Sequence, residues 1–245
     1  MRLGVDSKNT YGLDEGRPSI RLESKESYDH GLFIADFLHM PPSQCGLWPA
    51  CKSPGTTPLC HNPHIQFTTD KMHTVWAYGS SSSWPEGGEI DIVEGANTAH
   101  HNIISAHTAE GCHQDESHAD LFTGEQRNQQ CFVGEHNIGC GYNPPADDVS
   151  SYGDAFNAAG GGVYAMEWDD DHIKVWHFAR GMVPLDIEAK KPQPKKWGRP
   201  QAVFGGKGCG VKDYFKDMNL VINIVSILSP LLFREKLAPT KWNMD

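Results

Sequence analysis

The sequence predicts an all-β sandwich, in which two antiparallel sheets pack face to face. Several short segments alternate apolar and polar residues or are rich in β-branched and aromatic residues, as half-buried strands are. The chain of 245 residues contains 25 Gly and 16 Pro, which favour the tight turns that join short strands. No long segment keeps the 3.6-residue period of an amphipathic helix.

Six segments carry the strand prediction, and clusters of turn-forming residues separate them. In chain order they are 19–24, 30–40, 88–95, 102–108, 161–178 and 218–224. The fifth segment is predicted to be a hairpin, because three consecutive aspartates interrupt two apolar runs.

Two stretches do not fit this pattern. Residues 51–74 show little periodicity, and such long loops are uncommon inside compact domains. Residues 225–245 lose both alternation and turn signals. We therefore predict one domain over residues 1–224, with an insertion at 51–74 and a tail at 225–245 that does not belong to it.

The charge balance disfavours nucleic acid as a partner. The chain has 21 Lys and Arg against 31 Asp and Glu, a net charge of −10, and the basic residues form no stripe. The most apolar run, residues 219–233, contains Asn, Ser and Pro and is too short to span a membrane.

Seven cysteines are many for a cytosolic enzyme, and no C-x-x-C pair indicates zinc or a redox motif. We expect disulfides and secretion. The amino terminus shows no apolar signal-peptide segment, so either the chain is cytosolic or its start is missing.

The segment GGEIDIVEG gathers three carboxylates. In a regular strand Glu89 and Asp91 would share one face and Glu94 would lie on the other, because side chains alternate. A β-bulge in which Ile92 and Val93 oppose one partner residue would bring all three acids to the same face. The alternatives are a solvated acidic edge and a hard-cation site, and the apolar residues between the acids favour catalysis over both.

Acids at this spacing can perform glycoside hydrolysis. A retaining enzyme needs two carboxyl groups about 5 to 5.5 Å apart, one ionised as nucleophile and one protonated as general acid. The middle acid can share a proton with its neighbour, because like charges this close do not all ionise readily.

The sequence around the acids resembles fungal members of glycoside hydrolase family 16, of the laminarinase or endo-1,3(4)-β-glucanase type. The signature WPEGGEIDIVEGAN is specific to the bulged active site of that family, and the segments GRPSIRLES, CGLWPA and IKVWHFARG also match. The resemblance implies a β-jelly-roll sandwich of two curved antiparallel sheets, of the concanavalin A-like kind, with a sugar-binding cleft across one sheet.

The resemblance also implies a role for each matching residue. Glu89 would be the nucleophile, Glu94 the general acid and base, and Asp91 the assisting carboxylate. The residues implied to bind substrate are Trp84, Trp76, His107 and Arg21. No cofactor is expected, and nothing in the sequence specifies the structural calcium that such folds can hold.

The chain departs from the family pattern in two respects. Family members have further strands before and after the matching region, so we expect the sandwich to be incomplete and the chain as written to fold poorly or be inactive. Residues 51–74 can be read as a translated retained intron, because the codons at both ends permit splice signals and removal keeps the frame. A genuine surface loop is the alternative.

The predicted function is that of a secreted, monomeric, retaining endo-hydrolase of β-1,3-glucans or mixed β-1,3/1,4-glucans. Two alternatives stay open: a transglycosylase that remodels cell-wall glucan with the same residues, and an inactive glucan-binding fragment. Product analysis with and without an added oligosaccharide acceptor would distinguish hydrolysis from transfer.

Overall fold

The structure is a computed structural model. It describes residues 1–3, 6, 8–10, 18, 20–43, 74–95, 98–114, 120–135, 137–224 and 240–242. In this part of the chain the strands form one sheet of eight strands and one of four. The predicted all-β sandwich is confirmed.

The strands are short and widely spaced along the chain. In order they are β1 (Ile20–Ser24), β2 (Gly31–Phe37), β3 (Thr74–Gly79), β4 (Glu89–Glu94), β5 (Ile103–His107), β6 (Glu125–Asn128), β7 (Cys140–Asn143), β8 (Gly162–Trp168), β9 (His172–Ala179), β10 (Ala202–Gly205), β11 (Met218–Ile224) and β12 (Thr240–Trp242).

The large sheet has the order β12-β1-β11-β3-β4-β5-β7-β6, and the small sheet has the order β10-β9-β8-β2. Neighbouring strands are antiparallel except for β1 and β12, which are parallel. The predicted hairpin at 161–178 is present as β8 and β9. Strand β4 lies in the middle of the large sheet, between β3 and β5. Side chains on its outer face can therefore contact side chains of both neighbouring strands.

Three short α-helices lie in the connections between the described strands: α1 (Gly153–Ala158), α2 (Leu185–Glu188) and α3 (Val211–Tyr214). No helix in the described ranges is long and apolar enough to cross a membrane.

The apolar core lies between the two sheets. Ile90, Ile92 and Val93 of β4 are each at most 4% exposed and pack in one cluster with Met166 and Val175 of the small sheet. Full burial of an Ile or Val side chain contributes roughly 1.5–3 kcal/mol. The back of β4 is therefore anchored in the core, while its other face is turned away from the small sheet.

Two disulfides are present among the described residues, as expected from the cysteine content. One joins Cys112 to Cys209, which are 97 residues apart in sequence, and the other joins Cys131 to Cys140. The first connects the segment after β5 with the segment before α3.

The predicted insertion at 51–74 lies outside the described residues except for Thr74, which begins β3. Of the predicted tail at 225–245, only Thr240–Trp242 is described, and this segment pairs with β1. The proposed domain boundaries and the intron interpretation therefore stay predictions.

Candidate active site

A β-bulge in β4 places the three acids on one face of the large sheet. Asp91 is paired with Ser105 of β5, and Glu94 is paired with Ile103. Two residues of β4 therefore lie between these pairs where β5 has only one, which reverses the side-chain alternation once. The irregularity predicted from the spacing of the acids is confirmed.

The side chain of Asn102 forms hydrogen bonds with the backbone groups at the bulge. Its Oδ1 accepts the Glu94 N–H at 2.7 Å, and its Nδ2 donates to the Ile92 carbonyl at 2.9 Å. Asn102 is only 1% exposed, so these backbone groups have little access to water in its place. Asn102 thus fixes the backbone from which the third acid projects.

The connection between β3 and β4, residues 80–88, positions Trp84 beside the first acid. Gly79 and Gly87 pack against each other at its base, where a Cβ on Gly79 would lie 2.4 Å from the Gly87 Cα. The Trp84 indole N–H donates to the Glu89 carboxylate, and 46% of the Trp84 residue is exposed. The ring can therefore contact a ligand while its nitrogen contacts the acid.

Burial and mutual repulsion favour the neutral forms of two of the acids. Burial raises the pKa of Glu89 to about 8, the charge of Asp91 adds to this, and His107 and the Trp84 N–H act in the opposite direction. Burial raises the pKa of Asp91 to about 6 against hydrogen bonds with Ser105 and Glu89. The two carboxyl groups therefore hold a shared proton near neutral pH.

Ser105 and His107 of β5 connect the acids. The Ser105 hydroxyl lies 3.0 Å from Asp91 Oδ2 and 3.4 Å from Glu94 Oε2, so one hydroxyl reaches both carboxylates. His107 Nε2 lies 3.2 Å from Asp91 Oδ2. These contacts centre on Asp91, the middle acid.

The remaining predicted residues lie on the same face, on the β3 side of the acids. Trp76 is paired with Asp91 across the strands, and its indole N–H donates to Asn223 Oδ1 at 2.8 Å. The Arg21 guanidinium carbon lies 4.8 Å from the Trp76 ring centroid. The structure therefore places all seven predicted residues on one face, although Arg21 contacts Trp76 and Glu23 rather than one of the three acids of β4.

A second polar group, not predicted from the sequence, lies on this face. The Tyr78 hydroxyl donates to Glu23 Oε1 at 2.9 Å, and Arg21 Nη2 lies 3.3 Å from Glu23 Oε2. Burial, followed by the nearby Glu23 carboxylate, raises the pKa of Tyr78. Glu23 is 7% exposed, so a buried carboxylate of β1 lies on the same face of the large sheet as Tyr78 of β3.

A metal site is not formed by the cysteines in the described part of the chain. The sulfur atoms of Cys112, Cys131 and Cys209 lie within 4.8 Å of one another. Each of them is bonded in a disulfide, and a metal requires the free thiolate.

The fold and the acid cluster together define a jelly-roll domain of the kind found in β-glucan-active enzymes. The chain belongs to glycoside hydrolase family 16: residues 1–58 and 64–226 match the XgeA-like catalytic domain of that family. The family resemblance seen in the sequence is confirmed.

Curated relatives include two fungal proteins. An endo-1,3(4)-β-glucanase of Arthroderma benhamiae is 39% identical over 228 residues, which are 90% of this chain and 43% of the relative. A probable glycosidase of Schizosaccharomyces pombe is 36% identical over 225 residues, or 91% of this chain and 46% of the relative. The chain therefore spans less than half the length of these relatives.

Solved structures of the family superpose on the chain. A family 16 β-1,3-glucosyltransferase has a TM-score of 0.73 and 37% identity, with 91% of this chain and 65% of that chain covered. Laminarinase 16A from Phanerochaete chrysosporium, solved with 6-O-glucosyl-laminaritriose in its donor and acceptor sites, has a TM-score of 0.74 and 32% identity, with 91% and 67% covered.

Proposed function

We propose that this domain is the catalytic domain of a retaining endo-acting glycoside hydrolase that cleaves β-1,3-glucans or mixed β-1,3/1,4-glucans. The observation that carries the proposal is the bulge in β4, which puts Glu89, Asp91 and Glu94 on one face of the sheet. The names of the glucanase relatives support the substrate class.

In the first proposed step, Glu94 protonates the glycosidic oxygen that leaves, and Glu89 attacks the anomeric carbon to form a glycosyl ester. This requires an ionised Glu89 although burial raises its pKa. In the free protein the higher pKa of Glu89 places the shared proton there. The proposed step therefore needs this proton to move to Asp91, which then donates a hydrogen bond to Glu89 and leaves it ionised. The Trp84 N–H stabilises the same carboxylate.

In the second step, Glu94 removes a proton from water, and the resulting hydroxide attacks the anomeric carbon and releases Glu89. The two inversions at that carbon give net retention. Ser105 lies within reach of Asp91 and Glu94, so it holds these two carboxylates in fixed relation during both steps. Trp84, Trp76, Arg21 and His107 are proposed to bind the sugar or to position the acids.

The test is hydrolysis of laminarin and mixed-linkage glucan by the wild-type protein and by the Glu89→Gln and Glu94→Gln variants. Each variant should lose a factor of about 10² to 10⁴ in kcat, the range that positioned acids and bases contribute. Glu86→Gln is the matched control, since Glu86 is an exposed acid in the adjacent turn. Equal activity of Glu94→Gln and Glu86→Gln would refute the assignment.

The two roles can be separated with azide and an activated aryl β-glycoside. With Glu89→Ala, azide takes the place of the missing nucleophile and should give the inverted α-glycosyl azide. With Glu94→Ala, azide attacks the glycosyl ester and should give the β-glycosyl azide. The opposite pattern would exchange the two assignments.

The transglycosylase alternative uses the same two steps with a sugar hydroxyl in place of water. A β-1,3-glucosyltransferase is among the similar structures, whereas the curated relatives described above are named as a glucanase and a glycosidase. Chains longer than the starting oligosaccharide in the product mixture would favour transfer. We further propose that the protein is extracellular, because disulfides persist in oxidising compartments. The monomeric state stays a prediction.

A further inference from the structure

Residues 148–152, in the connection between β7 and α1, form a buried segment that contacts both sheets. Ser151 is 0% exposed and Tyr152 is 4% exposed. Neither residue is assigned above to the reaction, and both are too deeply buried to contact a polysaccharide. Any effect of these two residues on the reaction therefore passes through their neighbours.

The Tyr152 hydroxyl contacts the backbone directly after the third acid. It donates to the Gly95 carbonyl at 3.1 Å. The Tyr152 ring lies against the same residue, since a Cβ on Gly95 would be 2.6 Å from the ring carbon Cε1. Burial, followed by the nearby Glu94 carboxylate, raises the pKa of Tyr152, so the hydroxyl keeps its proton near neutral pH and remains a donor. Tyr152 therefore restrains the residue that follows Glu94.

Ser151 contacts the residue that holds the bulge. Its hydroxyl oxygen accepts the Asn102 N–H at 3.2 Å. The Asn102 side chain in turn forms hydrogen bonds with the Glu94 N–H and the Ile92 carbonyl. Ser151 therefore supports the contact that fixes the Glu94 N–H, and Tyr152 restrains the backbone on the other side of the same acid.

The small sheet holds this segment in place. The Ser151 carbonyl accepts the Tyr164 hydroxyl at 2.5 Å, and Asp148 Oδ2 lies 2.7 Å from His177 Nδ1. Tyr164 and His177 are paired across β8 and β9, and their rings stack with centroids 4.6 Å apart. The backbone around Glu94 is therefore connected to the small sheet through hydrogen bonds and a ring contact.

We propose that Tyr152 and Ser151 are positioning residues for Glu94, which they hold in the place that proton transfer to the leaving oxygen requires. The proposal rests on the proposed glucanase function and adds to it two core residues that do not touch substrate. Catalytic side chains must be held within about 0.5 Å of the productive geometry by the residues that surround them. Loss of the Tyr152 hydroxyl should therefore impair the steps in which Glu94 transfers a proton.

The experiment compares two substrates that differ in their need for an acid. In laminarin the leaving group is a sugar hydroxyl, which departs only when Glu94 protonates it. A 2,4-dinitrophenyl β-glycoside of a β-1,3-linked glucose disaccharide releases a stable phenolate without this proton. In both cases kcat/KM reports the formation of the glycosyl ester, so the comparison isolates the role of Glu94 as acid.

Tyr152→Phe, which removes only the hydroxyl, should lower kcat/KM on laminarin about tenfold. On the aryl glycoside it should change kcat/KM less than about twofold. Ser151→Ala should show the same selectivity with a loss of about threefold on laminarin, since its hydrogen bond is longer. Glu94→Ala removes the acid itself and sets the upper limit of the selectivity.

Tyr142→Phe is the matched control. Tyr142 is 1% exposed, and its hydroxyl donates to the Val203 carbonyl of β10 at 2.7 Å. The substitution removes the same type of buried hydrogen bond outside the bulge. It should lower the melting temperature and leave kcat/KM on both substrates within about twofold of wild type. Thermal unfolding of each variant verifies that the protein compared is folded.

Two results for Tyr152→Phe would overturn the positioning role and leave the proposed hydrolase intact: an equal loss on both substrates, or an unchanged kcat/KM on laminarin. If Tyr152→Phe does not fold, Ser151→Ala decides the question by the same comparison. Wild-type protein that is inactive on both substrates would instead refute the proposed function, and the role of these two residues with it.

Discussion

Replacing Asn102 by Ala tests whether the bulge is held by a single side chain. The substitution removes two hydrogen bonds, to the Glu94 N–H and the Ile92 carbonyl. Each such bond contributes about 1 kcal/mol, and a buried group left unpaired costs about 1–3 kcal/mol. With Asn102 only 1% exposed, we expect the free energy of unfolding to fall by about 2–4 kcal/mol, measured by urea denaturation.

The same substitution should also reduce the proposed activity. Once the backbone at the bulge is free to return to a regular register, Glu94 moves relative to Glu89. A displacement of about 1 Å in a catalytic group can cost about 10²-fold. We therefore expect kcat/KM on laminarin to fall by about that factor for folded Asn102→Ala protein, assayed well below its unfolding midpoint.

Asn157 provides a control of the same type. Its side chain accepts the Met40 N–H at 2.8 Å and donates to the Met40 carbonyl at 2.7 Å, outside the acid cluster. Asn157→Ala should therefore lose stability while kcat/KM of the folded protein stays within about twofold of wild type. Equal effects of both variants on kcat/KM, or none from Asn102→Ala, would refute the idea that Asn102 positions the acid.

Two further predictions concern pH. Trp84→Phe keeps an aromatic ring but removes the N–H that lowers the pKa of Glu89, so the acid limb of the kcat/KM profile should move to higher pH. Loss of this half-exposed, charge-assisted hydrogen bond should also lower kcat/KM about tenfold. An acid limb at the same pH as in the wild type would contradict this prediction. Burial alone would raise the pKa of Asp148, but its hydrogen bond with His177 at 2.7 Å and the His177 charge lower it below 3.8. This contribution to stability is complete above about pH 4 and is lost as the pH falls through the lowered value. Asp148→Asn should therefore reduce the melting temperature at pH 7 and make the melting temperature fall less between pH 4 and pH 2. If the melting temperatures of wild type and variant fall in parallel over this range, Asp148 does not cause the loss of stability in acid.

The sequence predicted the strands that are long or strongly alternating, and β11 has the predicted bounds at Met218–Ile224. It did not predict β6, β7 and β10, because each has four residues, too few for an alternation to be distinguished from chance. Strand β3 was missed because it follows directly on the stretch without periodicity at 51–74.

The acid cluster was predictable because its three acids lie close together in sequence, within residues 89–94 of one strand. The spacing of Glu89, Asp91 and Glu94 is sufficient to require a bulge if the three are to act together. Asn102 was not predictable, because only the pairing of β4 with β5 brings it to the bulge. An overlooked signal was the alternation in MNLVINI, which sets Asn219 and Asn223 on one face of a strand.

The contact between Glu23 and Tyr78 depends on pairing between distant segments. It forms because β11 joins β1 to β3, although these strands are 55 residues apart at the contact. A pattern in either segment alone does not specify this neighbour, so such contacts become visible only when the sheet order is known.

The disulfide between Cys112 and Cys209 encloses a loop of the chain with a sequence separation of 97. A protease that cuts one peptide bond inside this loop leaves both fragments joined covalently. β5 precedes the loop and β11 follows it, so such a cut releases neither strand from the molecule. Nicked protein would run as a single species on a non-reducing gel and as two fragments after reduction, a useful property for a domain exposed to proteases.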